Sequence, residues 1–503
     1  MKRSIHLSGA DRKALQALLE SRWTVRAGKS ESARGRRLES VEGSLGKAGR
    51  ILLETDEALE LYDEEDFPFG APLMRGPWER APKLVPQALP EGPLRSNLES
   101  MLGLRAAVAG PWGRLERGSL ALLDGEDKTV VRLALAGWRP VGGRRPSATW
   151  VRVEPLRGYE EEGWAVTAAL APLRAEEPCS DGVWSPVPDF GYGVSGKVAL
   201  DFDPRAPAGE VLPMLLGRLL AAARSTEAGI IADVDTEFLH DFRVHLRRMR
   251  SLLALLPGVW PKAETRALRG QLGNLARATN RLRDLDVQLL EERSLEAQVP
   301  ASLRDGLAML FERLRSERKR EYRAVARRLR AAQTQRELAA LEERLTEPDA
   351  RPAGKHAERP VAILAEGAVE QRLHALREAG EALEASAPEA AVHALRIEVK
   401  RLRYVIELLA PCFAASPKPL VKRLKALQDS LGAFNDACVR QALLTPWLAA
   451  ADPPLAASLG ALLALAEEEK EARRAEVPAR WAVFAKAVRT APPRVTTLPP
   501  LPA

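Results

Sequence analysis

One stretch of this chain occurs twice. His240-Asp-Phe-Arg-Val-His-Leu-Arg-Arg-Met-Arg250 returns as His393-Ala-Leu-Arg-Ile-Glu-Val-Lys-Arg-Leu-Arg403. His240, Arg243, Arg247, Arg248 and Arg250 align with His393, Arg396, Lys400, Arg401 and Arg403. The apolar positions Phe242, Leu246, Met249, Leu253 and Leu256 align with Leu395, Val399, Leu402, Ile406 and Leu409. Further on, Leu272, Leu275, Asp284 and Val287 meet Leu424, Leu427, Asp436 and Val439, with the register slipping by one residue. A shared pattern of apolar, basic and acidic positions over this span implies two structural repeats, each a small helical bundle.

The spacing says what each copy presents. Leu239, Phe242, Leu246, Met249 and Leu253 step by three and four, the seam of an amphipathic helix. His240, Arg243, Arg247 and Arg250 step the same way one residue later, which is about 100° around the helix. The basic stripe therefore runs beside the buried seam. If the two stripes face a common space, they line one groove, where low-dielectric walls strengthen attraction to an anion. Arginine offers a planar fork for two phosphate oxygens, and histidine a donor whose charge can be recruited near neutral pH. A linear polyphosphate has repeated anionic oxygens and no bases, so a ladder of cations suffices to bind it.

Competing uses of the stripe are a solvated face with Glu partners at i,i+4, or a phosphate-backbone surface for nucleic acid. Few acids lie nearby, Asp241 and Glu398, neither on the stripe. Aromatic residues are 5% of the chain and none is interleaved in the stripes to stack on bases, which disfavours nucleic acid. Arg248 and Arg401 point away from the main stripe and, with Lys422 and Lys425, are secondary contacts. His245, His356 and His374 read as structural or surface residues. Asp284 and Asp436 read as partners of the arginines or as helix caps, ahead of metal ligands. The dipeptide His240-Asp241 resembles metal phosphohydrolases of the HD type, but the second copy has Ala394 at the acid position.

Composition bounds the rest. The chain has 503 residues, room for more than one domain, and its net charge of +7 is modest, so local clustering has to carry the anion-binding case. Cys179, Cys412 and Cys438 have neither zinc nor disulfide spacing. Met1–Glu20 lacks a signal-peptide core and no apolar run is long enough for a bilayer, so the expected location is cytoplasmic, with no membrane partner.

The expected architecture is multidomain. Residues 1–205 read as an α+β domain rich in Gly, Pro and Trp. Strands are expected at Gly118–Leu123 and Lys128–Leu135 around an Asp124-Gly125 turn, and at Trp150–Glu154 and Trp164–Leu170; helices at Ala10–Glu20 and Pro93–Leu102. Residues 206–490 read as an all-α domain, with repeat one at 206–346 and repeat two at 361–490. Helices are expected at Glu210–Ala223, Glu237–Leu256, Ala263–Glu292, Ser302–Leu345, Ala362–Glu384, Pro388–Leu409 and Lys418–Leu444. Glu347–Pro360 reads as a linker, and 491–503 as a loose tail.

These residues resemble the CHAD family, the conserved-histidine α-helical domain. The motifs that carry the likeness are His240-Asp-Phe-Arg-Val-x-x-Arg-Arg-x-Arg250, Arg283-Asp-Leu-Asp-Val287, His393-x-x-Arg-x-x-x-Lys-Arg-Leu-Arg-Tyr404 and Leu427-Gln-x-x-Leu-Gly-x-x-Asn-Asp436. The resemblance covers roughly 210–480. It implies two helical bundles with a basic central surface that binds inorganic polyphosphate, often in association with polyphosphate granules. By carry-over the binding residues are His240, Arg243, Arg247, Arg250, His393, Arg396, Lys400 and Arg403. CHAD domains often follow a CYTH, or triphosphate-tunnel, domain, and residues 1–205 sit where one would be. That family opens with alternating metal-binding glutamates, whereas the corresponding strand here is Ser4-Ile-His-Leu-Ser8. Glu154 and Glu160–Glu162 are the remaining candidate acids. The N-terminal domain therefore reads as CYTH-like but degenerate. No catalytic residue, metal ligand or cofactor is assigned. The alternatives to polyphosphate binding are a metal-dependent triphosphatase or polyphosphatase in the N-terminal domain, and nucleic-acid binding.

Overall fold

A computed structural model of the protein describes residues 3–7, 12–142, 148–174, 198, 200–346, 353–384, 387–449, 451–490 and 495. The chain divides into two compact units, Met1–Tyr192 and Gly193–Ala503. Cys179 and most of the 491–503 tail lie outside the described residues. Among the described residues, no helix is long and apolar enough to cross a membrane.

The first unit is built on an antiparallel sheet. Its elements are β1 (Arg3–Leu7), α1 (Arg12–Glu20), β2 (Thr24–Ser40), α2 (Ser44–Lys47), β3 (Arg50–Thr55), β4 (Leu59–Asp63), β5 (Met74–Gly76), β6 (Lys83–Leu84), α3 (Pro93–Leu102), β7 (Ala107–Ala109), β8 (Gly113–Leu123), β9 (Thr129–Pro140), β10 (Ala148–Pro155) and α4 (Glu160–Leu170). Strand order is β1-β10-β9-β8-β2-β3-β4-β5, with β7 joining β2 to β6. The β8–β9 hairpin turns on Asp124, whose carboxylate accepts from the amides of Glu126 (2.9 Å) and Lys128 (3.0 Å). Leu122 then lies opposite Val131. Period-two alternation sends Leu120, Leu122, Val131 and Leu133 into one core with Leu15 and Leu19 of α1. On the other side, Leu115, Trp138, Ala148 and Trp150 pack with Ile51, Leu53, Tyr62 and Phe67. This α+β unit is compatible with a triphosphate-tunnel fold.

Trp164–Leu170, expected as a strand, is part of α4. The buried residues Gly163, Val166 and Leu170 have helical spacing. Glu160, Glu161 and Glu162 fill its first turn, where acids complement the helix dipole. That run is thus a helix start, not strand-borne acids in a sheet.

The second unit is all-helical: α5 (Ala208–Ser225), α6 (Glu227–Ile231), α7 (Thr236–Leu255), α8 (Lys262–Arg277), α9 (Asn280–Leu290), α10 (Glu292–Gln298), α11 (Arg304–Arg330), α12 (Ala332–Thr346), α13 (Val361–Glu381), α14 (Glu389–Leu408), α15 (Lys418–Leu448) and α16 (Pro453–Thr490). The expected helix at 263–292 is broken at Ala278-Thr279, and the one at 302–345 at Ala331, which is extended. Helices α6 and α16 were not expected from the periodicity. The seam of α14 packs with Leu376 of α13, Leu424 of α15 and Trp481 of α16. A second core joins the repeats: Leu285, Leu307 and Phe311 pack with Leu444, Leu455 and Leu459. The described part of the expected linker is strapped to the first repeat, with the amides of Gly354 and His356 donating to Val259 O (2.8 Å) and Gly258 O (2.9 Å). Gly258 has φ of 80°, and a Cβ there would stand 2.8 Å from His356 Nδ1.

Candidate functional site

Helix α7 starts where Asp235 caps it, accepting from the amides of Glu237 (2.9 Å) and Phe238 (3.3 Å). From there Phe238, Phe242, Leu246 and Met249 are buried, and His240, Arg243, Arg247 and Arg250 are half-buried beside them. Helix α14 repeats the arrangement: Leu395, Val399 and Leu402 are buried, Arg396, Lys400 and Arg403 are half-buried, and His393 is exposed.

The two stripes meet. Arg247 Nη1 lies 3.4 Å from Tyr404 Oη across the α7–α14 interface. Burial, reinforced by Arg396, Arg247 and Arg403, pushes the Lys400 ammonium down to about 8, with Asp436 opposing. Burial also lowers Arg396, where Asp436 opposes and Arg247 adds repulsion. It lowers Arg243 likewise, with Arg247 as the largest charged contribution. Cations from both repeats thus share one half-desolvated field. Among the described residues, Arg243, Arg247, Arg250, Arg396 and Lys400 form no ion pair, and the Nε atoms of Arg250 and Arg396 are buried without a hydrogen-bond partner. Cations without an ion-pair contact in that setting are costly, and an anion would offset the cost.

Arg243 has a second duty. Its Nη1 donates to Ala276 O, Thr279 Oγ1 and Asn280 Oδ1, each at 2.8 Å. The break between α8 and α9 supplies those partners, so Arg243 also ties α7 to that turn. His393 Nδ1 lies 3.2 Å from Asn435 Oδ1.

Several of the sequence candidates have further contacts of their own. Arg403 Nε is 3.3 Å from Glu407, an i,i+4 acid on the stripe itself, and its guanidinium lies 5.3 Å from the Tyr404 ring centroid. The supply of acids is therefore larger than Asp241 and Glu398. Arg401 is exposed and pairs with Glu398. Arg248 faces the buried His245. Arg250 lies against Gly273 of α8. Lys422 and Lys425 are exposed on α15. Asp284 and Asp436 lie inside α9 and α15, so neither caps a helix, and neither forms an ion pair among the described residues. Asp284 is exposed as a residue, yet the protein around its carboxyl desolvates it and raises its pKa against the pull of Arg243, Arg281 and Arg283. Tyr404, Asn280 and Asn435 were not candidates from the sequence; of these only Tyr404 sits on the basic stripe's spacing.

His356 Nδ1 meets Pro257 O at 3.0 Å, and His374 Nδ1 lies 3.3 Å from Glu378 on the surface. His245 is 2% exposed, and burial, with Arg248 beside it, drives its pKa down to about 4. The unfolded imidazole binds a proton near pH 6.5, and the folded one resists it until about 4. Stability is therefore intact above pH 6.5 and falls by about 3 kcal/mol as pH drops through that window. His245→Leu is expected to remove this acid sensitivity, measured as the urea midpoint at pH 7 and at about pH 4.5.

Among the described residues, no three His, Cys, Asp or Glu side chains gather as around a metal ion.

The CHAD domain family profile matches residues 214–445. The crystal structure of the CHAD domain from the plant Ricinus communis aligns with TM-score 0.51 and 24% identity, covering 60% of this chain and 99% of that one; the likeness is one of fold. PptA from Streptomyces chartreusis aligns with TM-score 0.43 and 18% identity, over 55% of this chain and 100% of that one. No curated protein matches the sequence.

Proposed function

Because residues 214–445 of this chain match the CHAD domain family, a family linked to polyphosphate binding or metabolism, we propose that the α7–α14 surface binds inorganic polyphosphate in a basic groove, without chemistry. The observation that carries the reading is the convergence of Arg247, Arg396, Lys400 and Arg403 from two repeats on one half-desolvated field. Arg243, His240 and His393 extend it toward the start of each helix, and Arg250 is its outermost member. A chain of phosphates meets such a ladder at successive rungs, each contact a charge-assisted hydrogen bond worth about 1.5–3 kcal/mol. Association with polyphosphate granules would follow from that affinity.

The test is calorimetric titration of the full-length protein with long-chain polyphosphate at two salt concentrations. Tight binding that weakens with salt is expected. No binding at low salt would overturn the reading. Duplex DNA at the same salt is expected to compete poorly. Phosphate release in the presence of Mg²⁺ or Mn²⁺ would instead favour a triphosphatase in the first unit.

Lys400 gives the binding a pH signature. With its free pKa at about 8, the amine is charged below that value and neutral above it. A bound phosphate raises that pKa, so binding takes up protons near pH 8 and affinity falls as pH rises through it. A drop of about tenfold between pH 7 and about pH 9.5 is expected for one lost charged contact. Lys400→Arg is expected to flatten the profile, because the guanidinium stays charged.

A further inference from the structure

Beside the basic cluster lies a cavity of about 180 Å³ between α9, α11 and α15. Its apolar wall includes Val287, Leu310, Phe311, Val439, Leu443 and Trp447. Val287 and Val439 are 41% and 46% exposed, so the mouth is open to solvent. Asp284 and Asp436 also line it, and these carboxylates are the ones that act on Arg243 and on Arg396 and Lys400. Gln288, another lining residue, has its Nε2 buried without a hydrogen-bond partner.

The two helices carry the same order of chemistry. On α9, Asn280 touches Arg243; Asp284 follows one turn on, then Val287 and Gln288. On α15, Asn435 touches His393; Asp436 follows, then Val439, Leu443 and Trp447 at three- and four-residue steps. Leaving the cations, a ligand would meet two carboxylates and then a largely apolar pocket that also holds the Glu291–Arg440 ion pair and one free donor, Gln288 Nε2. A phosphate chain, a sugar with hydroxyls and a heterocycle with a ring acceptor have that order. The hydroxyls would donate to the carboxylates, as ribose does to an acidic side chain in dinucleotide sites, and the ring acceptor would take Gln288 Nε2. The volume suits a fragment, since pockets for whole drug-sized ligands run to about 300–1,000 Å³.

We propose that this cavity takes the base of a nucleoside polyphosphate whose phosphate chain lies on the cations of α7 and α14. The inference rests on the polyphosphate reading of those cations, and adds a class of ligand that bare polyphosphate does not cover.

The test compares ATP with inorganic tripolyphosphate on the full-length protein by calorimetry, in wild type and in Val439→Trp, which fills the mouth from an exposed position. ATP is expected to bind at least tenfold more tightly than tripolyphosphate. In Val439→Trp that advantage should vanish while long-chain polyphosphate binds as before. Equal affinities in wild type, or an ATP advantage that survives Val439→Trp, would overturn the base site and leave the polyphosphate reading standing. Failure of long-chain polyphosphate itself to bind wild type would overturn that reading and this one together. Gln288→Leu provides a second variant should Val439→Trp lose helical signal: it should weaken ATP and spare tripolyphosphate, and an unchanged ATP affinity would count against the site.

Discussion

Arg247→Glu combined with Lys400→Glu is expected to abolish polyphosphate binding, with the helical circular-dichroism signal unchanged. These two side chains sit where the repeats meet: Arg247 reaches Tyr404 across the interface, and Lys400 feels Arg396, Arg247 and Arg403 at once. Losing two charge-assisted contacts removes about 3–6 kcal/mol, roughly 10² to 10⁴ in affinity, before counting the repulsion from two new carboxylates. The salt slope in any residual binding should shrink by about two, one unit for each phosphate no longer neutralised. Arg243 is a poorer probe, because its hydrogen bonds to Ala276, Thr279 and Asn280 hold the α8–α9 turn. Its reversal would confuse binding with folding. The contrast extends to stability. Lys400→Met should stabilise the unliganded protein by about 1–2 kcal/mol, after discounting a half-exposed amine for solvent screening, while it weakens binding. Unchanged affinity in the double variant would remove α7 and α14 from the site.

The repeat made the core of this site readable. A basic stripe one residue behind an apolar seam is a geometric statement about a helix, and two aligned copies say the statement is meant twice. Helices α7 and α14, their buried seams and their half-buried cations follow from that alone. What the spacing could not hold was anything set by a neighbouring helix. No residue pattern marks the break at Ala278-Thr279, yet that break supplies the partners of Arg243. Glu407 lies on the stripe, four residues after Arg403, but its pairing depends on which rotamer packing favours. Helix α16 opens with Pro453-Pro454, and its charged middle from Glu467 to Arg474 separates the leucines that seal the shared core from Val477, Trp481 and Phe484, which join the core around α14.

The first unit was less legible. Its longest strand, β2, reads Thr-Val-Arg-Ala-Gly-Lys-Ser-Glu-Ser-Ala-Arg-Gly-Arg-Arg-Leu-Glu-Ser, and most of its first half is exposed. Such a strand forms because β8 and β3 flank it with paired backbone groups, a long-range cause that local alternation does not record. The hairpin at Asp124 and the helix at Pro93–Leu102 were visible because their signals, a turn residue and a Pro at the first helical turn, are local.

Arg318→Ala should be the most damaging single change to the fold of the second unit. Its guanidinium spans two carboxylates: Nε meets Asp286 Oδ1 at 2.6 Å, and Nη2 and Nη1 meet the two oxygens of Asp233 at 2.7 and 3.0 Å. The Asp286 carboxylate is 1% exposed. Burial raises its pKa even with Arg318 in place. Asp233 has φ of 50°, a left-handed conformation that a non-glycine residue adopts at some expense, here held by the bidentate pair. Removing the arginine strands a buried charge, which typically costs about 3–5 kcal/mol, a large share of the roughly 5–15 kcal/mol that holds a domain together. The urea midpoint followed by helical circular dichroism should fall accordingly at pH 7. The deficit should narrow as pH falls, because protonating Asp286 removes the stranded charge. Asp286→Leu added to Arg318→Met should recover most of the loss, since a well-packed apolar pair needs no counter-ion. A single variant as stable as wild type would show that water reaches Asp286 and that the triad is surface chemistry. The triad lies outside the α7–α14 cations, so polyphosphate affinity of the folded variant should stay within about twofold of wild type, and that separation distinguishes a structural charge cluster from a functional one.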